Sequence, residues 1–270
     1  MISIENVSYK YKNGKKVLKN VSFSVKNGEI VTIVGKNGSG KSTIGKLISG
    51  ILKLKEGNIF IDDIDISKRK NKELISSNIG MVFQNPDSQI IFSNIKEEFS
   101  YITQDETIID NALKYVDMFE YKNRDLYYLS LGQKQRIVIA EILAKKPKYI
   151  IFDEPTTMID SMGKIKIYKL IKKLKDEGYT IICITNLADE ILLADKTIIL
   201  NDGEIVEQIK KTELIEKSDV FEKYEIKIPT LLEILVKLKN SGIELDNNDV
   251  FTVDSLVREL GEKIKKNRRV

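Results

Sequence analysis

The sequence predicts an α/β fold in which an antiparallel β region precedes a parallel-sheet core, a helical stretch interrupts that core, and a small helical tail follows. Three observations carry this expectation. Short strand-like runs near the start are punctuated by turn dipeptides, a Gly-rich loop joins an apolar run to a helical pattern, and two later apolar runs flank one amphipathic helix.

In the first region Asn13-Gly14, Asn27-Gly28 and Gly57-Asn58 separate runs such as Val21 to Val25 and Ile59 to Ile61, as in antiparallel strands joined by tight turns. Glu29 to Val34 has the pattern of a buried strand, and Thr43 to Ile51 places Ile44, Leu47, Ile48 and Ile51 at helical spacing. Gly80 to Phe83 is a further short strand. From Asn94 to Ala144 the pattern is mostly helical, with Ile108, Ala112, Leu113 and Val116 recurring on one face. Strand runs return at Tyr149 to Phe152, Thr180 to Ile184 and Lys196 to Leu200. The helix Ile165 to Glu177, closed by Gly178, joins the first two into a βαβ unit, which requires parallel strands. Asp202-Gly203 predicts a closing hairpin. In the tail, Pro229 suits a helix start, Leu231, Ile234, Leu235 and Leu238 form one face, Gly242 suits a C-cap, and a second helix follows Thr252. Those stripes need a covering surface, on this chain or on a neighbour. The expected division is a main domain at 1–217, with its helical part at about 87–144, and a tail domain at 218–270.

Composition narrows the function classes. Among 270 residues, 44 Lys and Arg face 40 Asp and Glu, and the two signs are interspersed, so nothing argues for nucleic acid as partner. Lys263, Lys265, Lys266, Arg268 and Arg269 cluster at the end and read as a solvated tail, with anionic lipid or RNA as the other reading. Cys183, the only cysteine, lies in the apolar run Thr180 to Thr185 and reads as a buried strand residue in a reducing compartment. No apolar stretch reaches the length of a membrane helix, and Met1-Ile2-Ser3-Ile4-Glu5 lacks a signal-peptide pattern, so a cytosolic protein is expected.

The chemistry concentrates in three places. Gly35 to Ser42 fits G-x-x-x-x-G-K-S, and the candidate phosphate cradle is Gly35, Asn37, Gly38, Ser39, Gly40, Lys41, Ser42 and Thr43. Gly38 and Gly40 allow close backbone approach, backbone N–H groups and a helix N-terminus attract phosphate, and Lys41 supplies a cation for the β- and γ-phosphates. Ser42 offers a hydroxyl to Mg²⁺, and Thr43 supports the α-phosphate side. The acidic pair closing Ile150-Ile151-Phe152-Asp153-Glu154-Pro155 completes such a site: Asp153 would hold Mg²⁺ through water, and Glu154 would orient and deprotonate the attacking water. Gln84, on a loop before Asn85-Pro86, carries an amide able to reach both metal and water. The third place is Leu129-Ser130-Leu131-Gly132-Gln133.

In this order and spacing GKNGSGKST, Gln84, LSLGQKQR and FDEP resemble the nucleotide-binding domain of ATP-binding cassette (ABC) proteins, over nearly the whole chain. The resemblance implies a P-loop NTPase fold of ABC type, with ATP as substrate and Mg²⁺ as cofactor. It also implies two such domains meeting head to tail, so that Ser130, Gly132 and Gln133 act on the ATP held by the partner. Tyr11 stands where the family places an aromatic against adenine, with Tyr9 the alternative. Asp160 matches a loop contacting the other subunit, although a helix N-cap is the other reading. VFQNPDSQ, DEPTTMIDSMG, and a tail of Pro229-Thr230, Leu231 to Leu238 and Ser241-Gly242-Ile243-Glu244-Leu245 are similar to the ATPase subunits of energy-coupling factor transporters. That similarity implies a pair of ATPase subunits on the cytoplasmic face of the membrane, with a heterodimer preferred and a homodimer open. It further implies a transmembrane coupling protein, a membrane component that captures a vitamin or transition-metal ion, and a tail used between the two ATPases.

Two departures bear on activity. Where the family carries a histidine against the γ-phosphate, this histidine-free chain reads Ile184-Thr185-Asn186-Leu187, and Asn186 can donate a hydrogen bond but cannot take a proton. Losing one transition-state contact costs roughly 3 kcal/mol, on the order of a hundredfold in rate. Leu131 replaces a glycine, which matters if that position needs positive φ or close backbone approach. The segment between Gln84 and Leu129 is also short for the family. A non-hydrolysing regulatory half of a heterodimer is therefore one alternative. A soluble cassette protein acting on DNA or ribosomes is another, against which stands the lack of tandem cassettes, long coiled-coil insertions and metal-binding cysteines.

Overall fold

The computed structural model describes the chain except residues 13, 69, 70, 244, 246–249 and 268–270. Asn13 of the first turn, Glu244 of the tail motif, and Arg268 and Arg269 of the basic cluster therefore lie outside the described residues.

The chain opens with strands β1 (Ile2–Lys10) and β2 (Lys16–Val25), and later β4 (Glu56–Ile61) and β5 (Ile64–Asp65) extend the same antiparallel sheet in the order β2-β1-β4-β5. Period-two alternation puts Ile2, Ile4, Val21, Phe23, Val25, Ile59 and Ile61 into the core. The expected turn at Gly57-Asn58 is not one, because both residues lie within β4. There β1 and β4 slip register between the pairs Glu5↔Asn58 and Ser8↔Glu56, and Gly57 takes φ +85° with no room for a side chain. A Cβ at Gly57 would lie 2.5 Å from the Asn6 carbonyl oxygen. The glycine marks a bulge, a distinction that the dipeptide alone does not reveal.

The second sheet runs in the order β10-β9-β3-β8-β7-β6. It is built from β3 (Ile30–Val34), β6 (Ile79–Val82), β7 (Tyr149–Asp153), β8 (Thr180–Thr185), β9 (Lys196–Asn201) and β10 (Glu204–Lys210). Neighbours are parallel except β9 and β10, which form the expected hairpin around Asp202 and Gly203. Strands β3, β6, β7 and β8 are buried along their whole length, as a sheet covered on both faces requires. Alternate residues separate the two faces. Val31, Ile33, Ile151, Ile182 and Ile184 pack with α1 (Lys41–Ile48) and the antiparallel sheet. Ile30, Ile150, Phe152, Ile181 and Cys183 pack with α3 (Ile95–Ser100), α4 (Glu106–Tyr115), α5 (Leu131–Ala144) and α6 (Ser161–Asp176). Helix α2 (Lys72–Asn78) leads into β6. Helix α1 stops at Ile48, short of the expected Ile51, because the chain turns at Gly50 with φ +72°, and Ile51 is left exposed.

The tail comprises α7 (Asp219–Lys223), α8 (Thr230–Asn240) and α9 (Val253–Asn267). Among the described residues part of its apolar surface is buried on the same chain: Phe221, Leu232, Leu235, Val250, Phe251 and Leu256 share one cluster with Val34, Ile199 and Ile209, while Val253, Val257 and Ile264 of α9 stay exposed. The α8 face is turned from the expected one. Leu232 joins Leu235 in the core, whereas Ile234 is 43% exposed, since docking onto strand residues selects the face that the 3.6-residue period leaves ambiguous. Gly242, at φ +79°, closes α8 with Gly242 N–H to the Lys239 carbonyl and Ile243 N–H to the Leu238 carbonyl.

Two buried carboxyls load this fold with a pH dependence. Burial, with the Glu98 charge adding and Lys145 opposing, pushes Glu141 up to about 8, and its Oε1 has no hydrogen-bond partner. Burial pushes Glu190 up to about 7 against the hydroxyls of Thr156 and Thr185. Both folded-state values lie above the ordinary 4.5, so the native state holds extra protons between 4.5 and about 8, and stability falls as pH rises through that window. Thermal unfolding between about pH 5 and pH 9 is therefore expected to show a declining Tm, and Glu141→Gln is expected to flatten it by roughly 3 °C or more at the alkaline end.

Candidate active site

The site forms because three adjacent parallel strands end level. Val34 of β3 pairs with Thr185 of β8, and Asp153 of β7 pairs with Ile184 of β8. The loop after β3, the acidic pair after β7 and Asn186 after β8 therefore emerge at one sheet edge.

The phosphate loop leads into α1 through Gly40, whose φ of +104° places it in the left-handed region, and no side chain caps the helix. A Cβ at Gly40 would meet the Val17 carbonyl oxygen at 2.9 Å. With no capping side chain and no acidic residue in the first turn, the N-terminal N–H groups of α1 are directed to an anionic ligand. Lys41 is buried and donates to the carbonyls of Gly35 at 2.7 Å and Lys36 at 3.0 Å. Its pKa is lowered by burial, against which the charges of Glu154 and then Asp153 act. Ser39 Oγ is buried with no hydrogen-bond partner.

Ser42 Oγ donates to Asp153 Oδ1 at 2.8 Å, tying α1 to β7. Burial raises the Asp153 pKa most, the Ser42 hydrogen bond lowers it, and the neighbouring Glu154 charge raises it again. Glu154 sits at φ +51°, sparsely populated for a residue with a side chain, and its N–H is held by the Ile184 carbonyl at 2.7 Å. Gln84 Nε2 donates to Glu154 Oε2 at 3.0 Å, and Thr157 Oγ1 donates to the same oxygen at 3.2 Å. Asn186 Nδ2 reaches Asn37 Oδ1 of the loop at 3.4 Å. A cleft of about 280 Å³ is lined by Tyr11, Val17, loop residues between Asn37 and Thr43, and Glu154. Oxygen donors from Ser42 and Asp153 suit a hard cation such as Mg²⁺. No group of three His, Cys, Asp or Glu side chains able to hold a metal lies among the described residues.

The two candidate tyrosines sit in different surroundings. Tyr9 is 6% exposed in the core, while Tyr11 is 39% exposed and shares a hydrogen bond between its hydroxyl and Thr43 Oγ1 at 3.2 Å. The two rings meet edge to face, 5.0 Å apart. Ser130 and Gln133 lie away from this cleft's lining and cap α5 reciprocally: Gln133 N–H donates to Ser130 Oγ at 3.3 Å, and Ser130 N–H donates to Gln133 Oε1 at 2.9 Å. Leu131 has no positive φ, so leucine costs the backbone nothing there. At Gly132 a Cβ would lie 3.0 Å from Ile159 Cγ2, a tight contact that Ile159 would have to yield to. Asp160 caps α6 by accepting from Gly163 N–H.

Sequence reasoning missed three supporting residues. Thr157 stands three positions after Glu154, near enough in sequence for its hydroxyl to have been considered. Val17 lines the cleft from β2, and Glu190 lies behind the acidic strand, accepting from Thr156 Oγ1 at 2.6 Å. Neither carries a local motif.

A family described as ABC transporter matches residues 18–157. The energy-coupling factor transporter ATP-binding protein EcfA1 of Fusobacterium nucleatum is 40% identical over 272 residues, covering 98% of this chain and all of the relative. Among solved structures, cbiO1 of Clostridium perfringens, part of the ABC transporter complex cbiONQ, is 32% identical with a TM-score of 0.74, covering 87% of this chain and 98% of that one. The ATP-binding cassette MJ0796, a dimer in a post-hydrolysis state bound to ADP and Pi, is 32% identical with a TM-score of 0.70, covering 78% of this chain and 98% of that one. The chain thus belongs to the ABC transporter family, as one of its ATP-binding, ATP-hydrolysing subunits, and within that family to the energy-coupling factor transporter ATP-binding proteins.

Proposed function

We propose that this chain binds Mg²⁺-ATP at the Gly35–Thr43 loop and hydrolyses it to ADP and phosphate, powering a membrane importer for vitamins or transition-metal ions. The observation that carries the chemistry is the Glu154 carboxylate, fixed by Gln84 and Thr157 beside the Ser42–Asp153 pair. Lys41 neutralises charge on the β- and γ-phosphates, and Tyr11 stacks on adenine. Ser42, Asp153 and Gln84 are the residues that would hold Mg²⁺, which when bound offsets charge developing on the phosphates. Glu154 accepts a proton from the attacking water, and Gln84 orients it.

The second half of each site comes from a partner ATPase. Ser130, Gly132 and Gln133 face the partner's ATP, and Asp160 contacts the partner across the same interface. A heterodimer is favoured over a homodimer, because in a homodimer Asn186 would burden both sites. Closure on ATP and reopening after hydrolysis are passed to a transmembrane coupling protein, while a separate membrane component captures the cargo. The chain acts at the cytoplasmic face; among the described residues no helix is long and apolar enough to cross a membrane.

The complex purified from native membranes through this chain is expected to contain an integral membrane protein and to turn over ATP. Glu154→Gln in this chain is expected to slow that turnover at least about a hundredfold while ATP still binds. An unchanged rate would remove Glu154 from the mechanism. A second reading, a weakly hydrolysing regulatory half, is favoured by Asn186, an exposed amide beside the loop. Asn186→His is expected to raise single-turnover hydrolysis at this chain's own site, by up to on the order of a hundredfold. No gain would show that the amide already meets the need.

A further inference from the structure

We propose that the cavity enclosed by the end of α4, the middle of α5 and the outer face of α6 is a second anion site, taking a phosphate-class oxyanion. Its volume is about 160 Å³, below the roughly 300–1,000 Å³ of organic-ligand pockets and suited to an oxyanion. Arg136, Lys166, Lys169 and Lys173 line it, and Asp117 is the one carboxylate among its lining residues. Lys166, Lys169 and Lys173 recur at i, i+3 and i+7 and so share a face of α6.

The decisive feature is the charge on Arg136. Its side chain belongs to a residue only 8% exposed, and among the described residues no carboxylate lies within ion-pair distance of it. Nη1 donates to the carbonyls of Val116 at 3.0 Å and Asp117 at 3.1 Å. Those carbonyls satisfy one nitrogen and bring no full charge, and the Asp117 carboxylate acts on the guanidinium only from beyond ion-pair distance. Buried charges are ordinarily paired, and an oxyanion in the adjoining cavity would supply the missing partner. A guanidinium with forked donors recognises phosphate, and lysines add point charges around it. Lys173 is already held over the Tyr115 ring, 3.6 Å from its centroid, while Lys166 and Lys169 have no ion pair among the described residues. An anion here would bind α4, α5 and α6 together, and α5 and α6 begin at Ser130 and Asp160.

The test keeps the phosphate loop saturated with a non-hydrolysable ATP analogue, so that only other anion sites report. Isothermal titration with inorganic phosphate or pyrophosphate forms one arm, and sedimentation with phosphatidylcholine vesicles containing phosphatidic acid forms the other, separating a soluble ligand from a lipid headgroup. The full chain is expected to bind in at least one arm. Lys166→Glu/Lys169→Glu is expected to weaken that binding at least about tenfold, with nucleotide affinity and ligand-free Tm unchanged. The neutral pair Lys166→Gln/Lys169→Gln should lose less in the same direction, guarding against a folding defect in the charge-reversed protein. Absence of binding in both arms, or equal binding by wild type and charge-reversed protein, would overturn the assignment.

Discussion

The hydrogen bond from Ser42 to Asp153 is the contact on which the site's geometry turns. It links the first turn of α1 to the end of β7 although β8 lies between β3 and β7, so it can form only where the three strands stop at the same height. The continuous apolar runs of β3, β7 and β8 secure that height, because a one-residue slip would exchange the residues packed against α1 for those packed against α5 and α6. Glu154 then occurs one residue beyond the sheet, held in a left-handed conformation by the Ile184 carbonyl. The strain of that conformation is tolerated because the carboxylate it presents is secured by Gln84 and Thr157.

The same sheet separates two functional surfaces. One face carries α1 and the antiparallel strands, hence the phosphate loop, Val17 and Tyr11. The other carries α5 and α6, whose N-termini hold Ser130 and Asp160. These two helix starts lie close together: a Cβ at Gly132 would be 3.0 Å from Ile159 Cγ2, and Ile159 directly precedes the Asp160 cap. Farther along, the same two helices border the basic cavity around Arg136, so an anion bound there would act on the pair of elements that carries Ser130 and Asp160.

Much of this was legible in the sequence because the chemistry is local. GKNGSGKS, Phe152-Asp153-Glu154-Pro155 and Leu129 to Gln133 are contiguous, and each depends on backbone geometry that a short run can specify. What escaped was set by distant contacts. Gly57 is a bulge because β1 slips against β4, Ile234 is exposed because α8 docks through Leu232 and Leu235, and Glu190 becomes important only when folding sets it behind Thr156. The choice between Tyr9 and Tyr11 was open for the same reason: strand spacing does not say which ring meets the core. The tail's stripe could have been covered by either chain; packing with Val34, Ile199 and Ile209 covers one part of it, while Val253, Val257 and Ile264 of α9 stay exposed.

The central claim is that the loop and the acidic strand act as one unit on Mg²⁺-ATP. A double-mutant cycle on Mg²⁺-dependent nucleotide affinity, using Ser42→Ala, Asp153→Asn and both together, tests it most directly. Strong coupling is expected, with the double variant little worse than the more damaging single one. Losses that simply add would contradict it, and would mean that Ser42 and Asp153 serve the nucleotide independently despite their hydrogen bond.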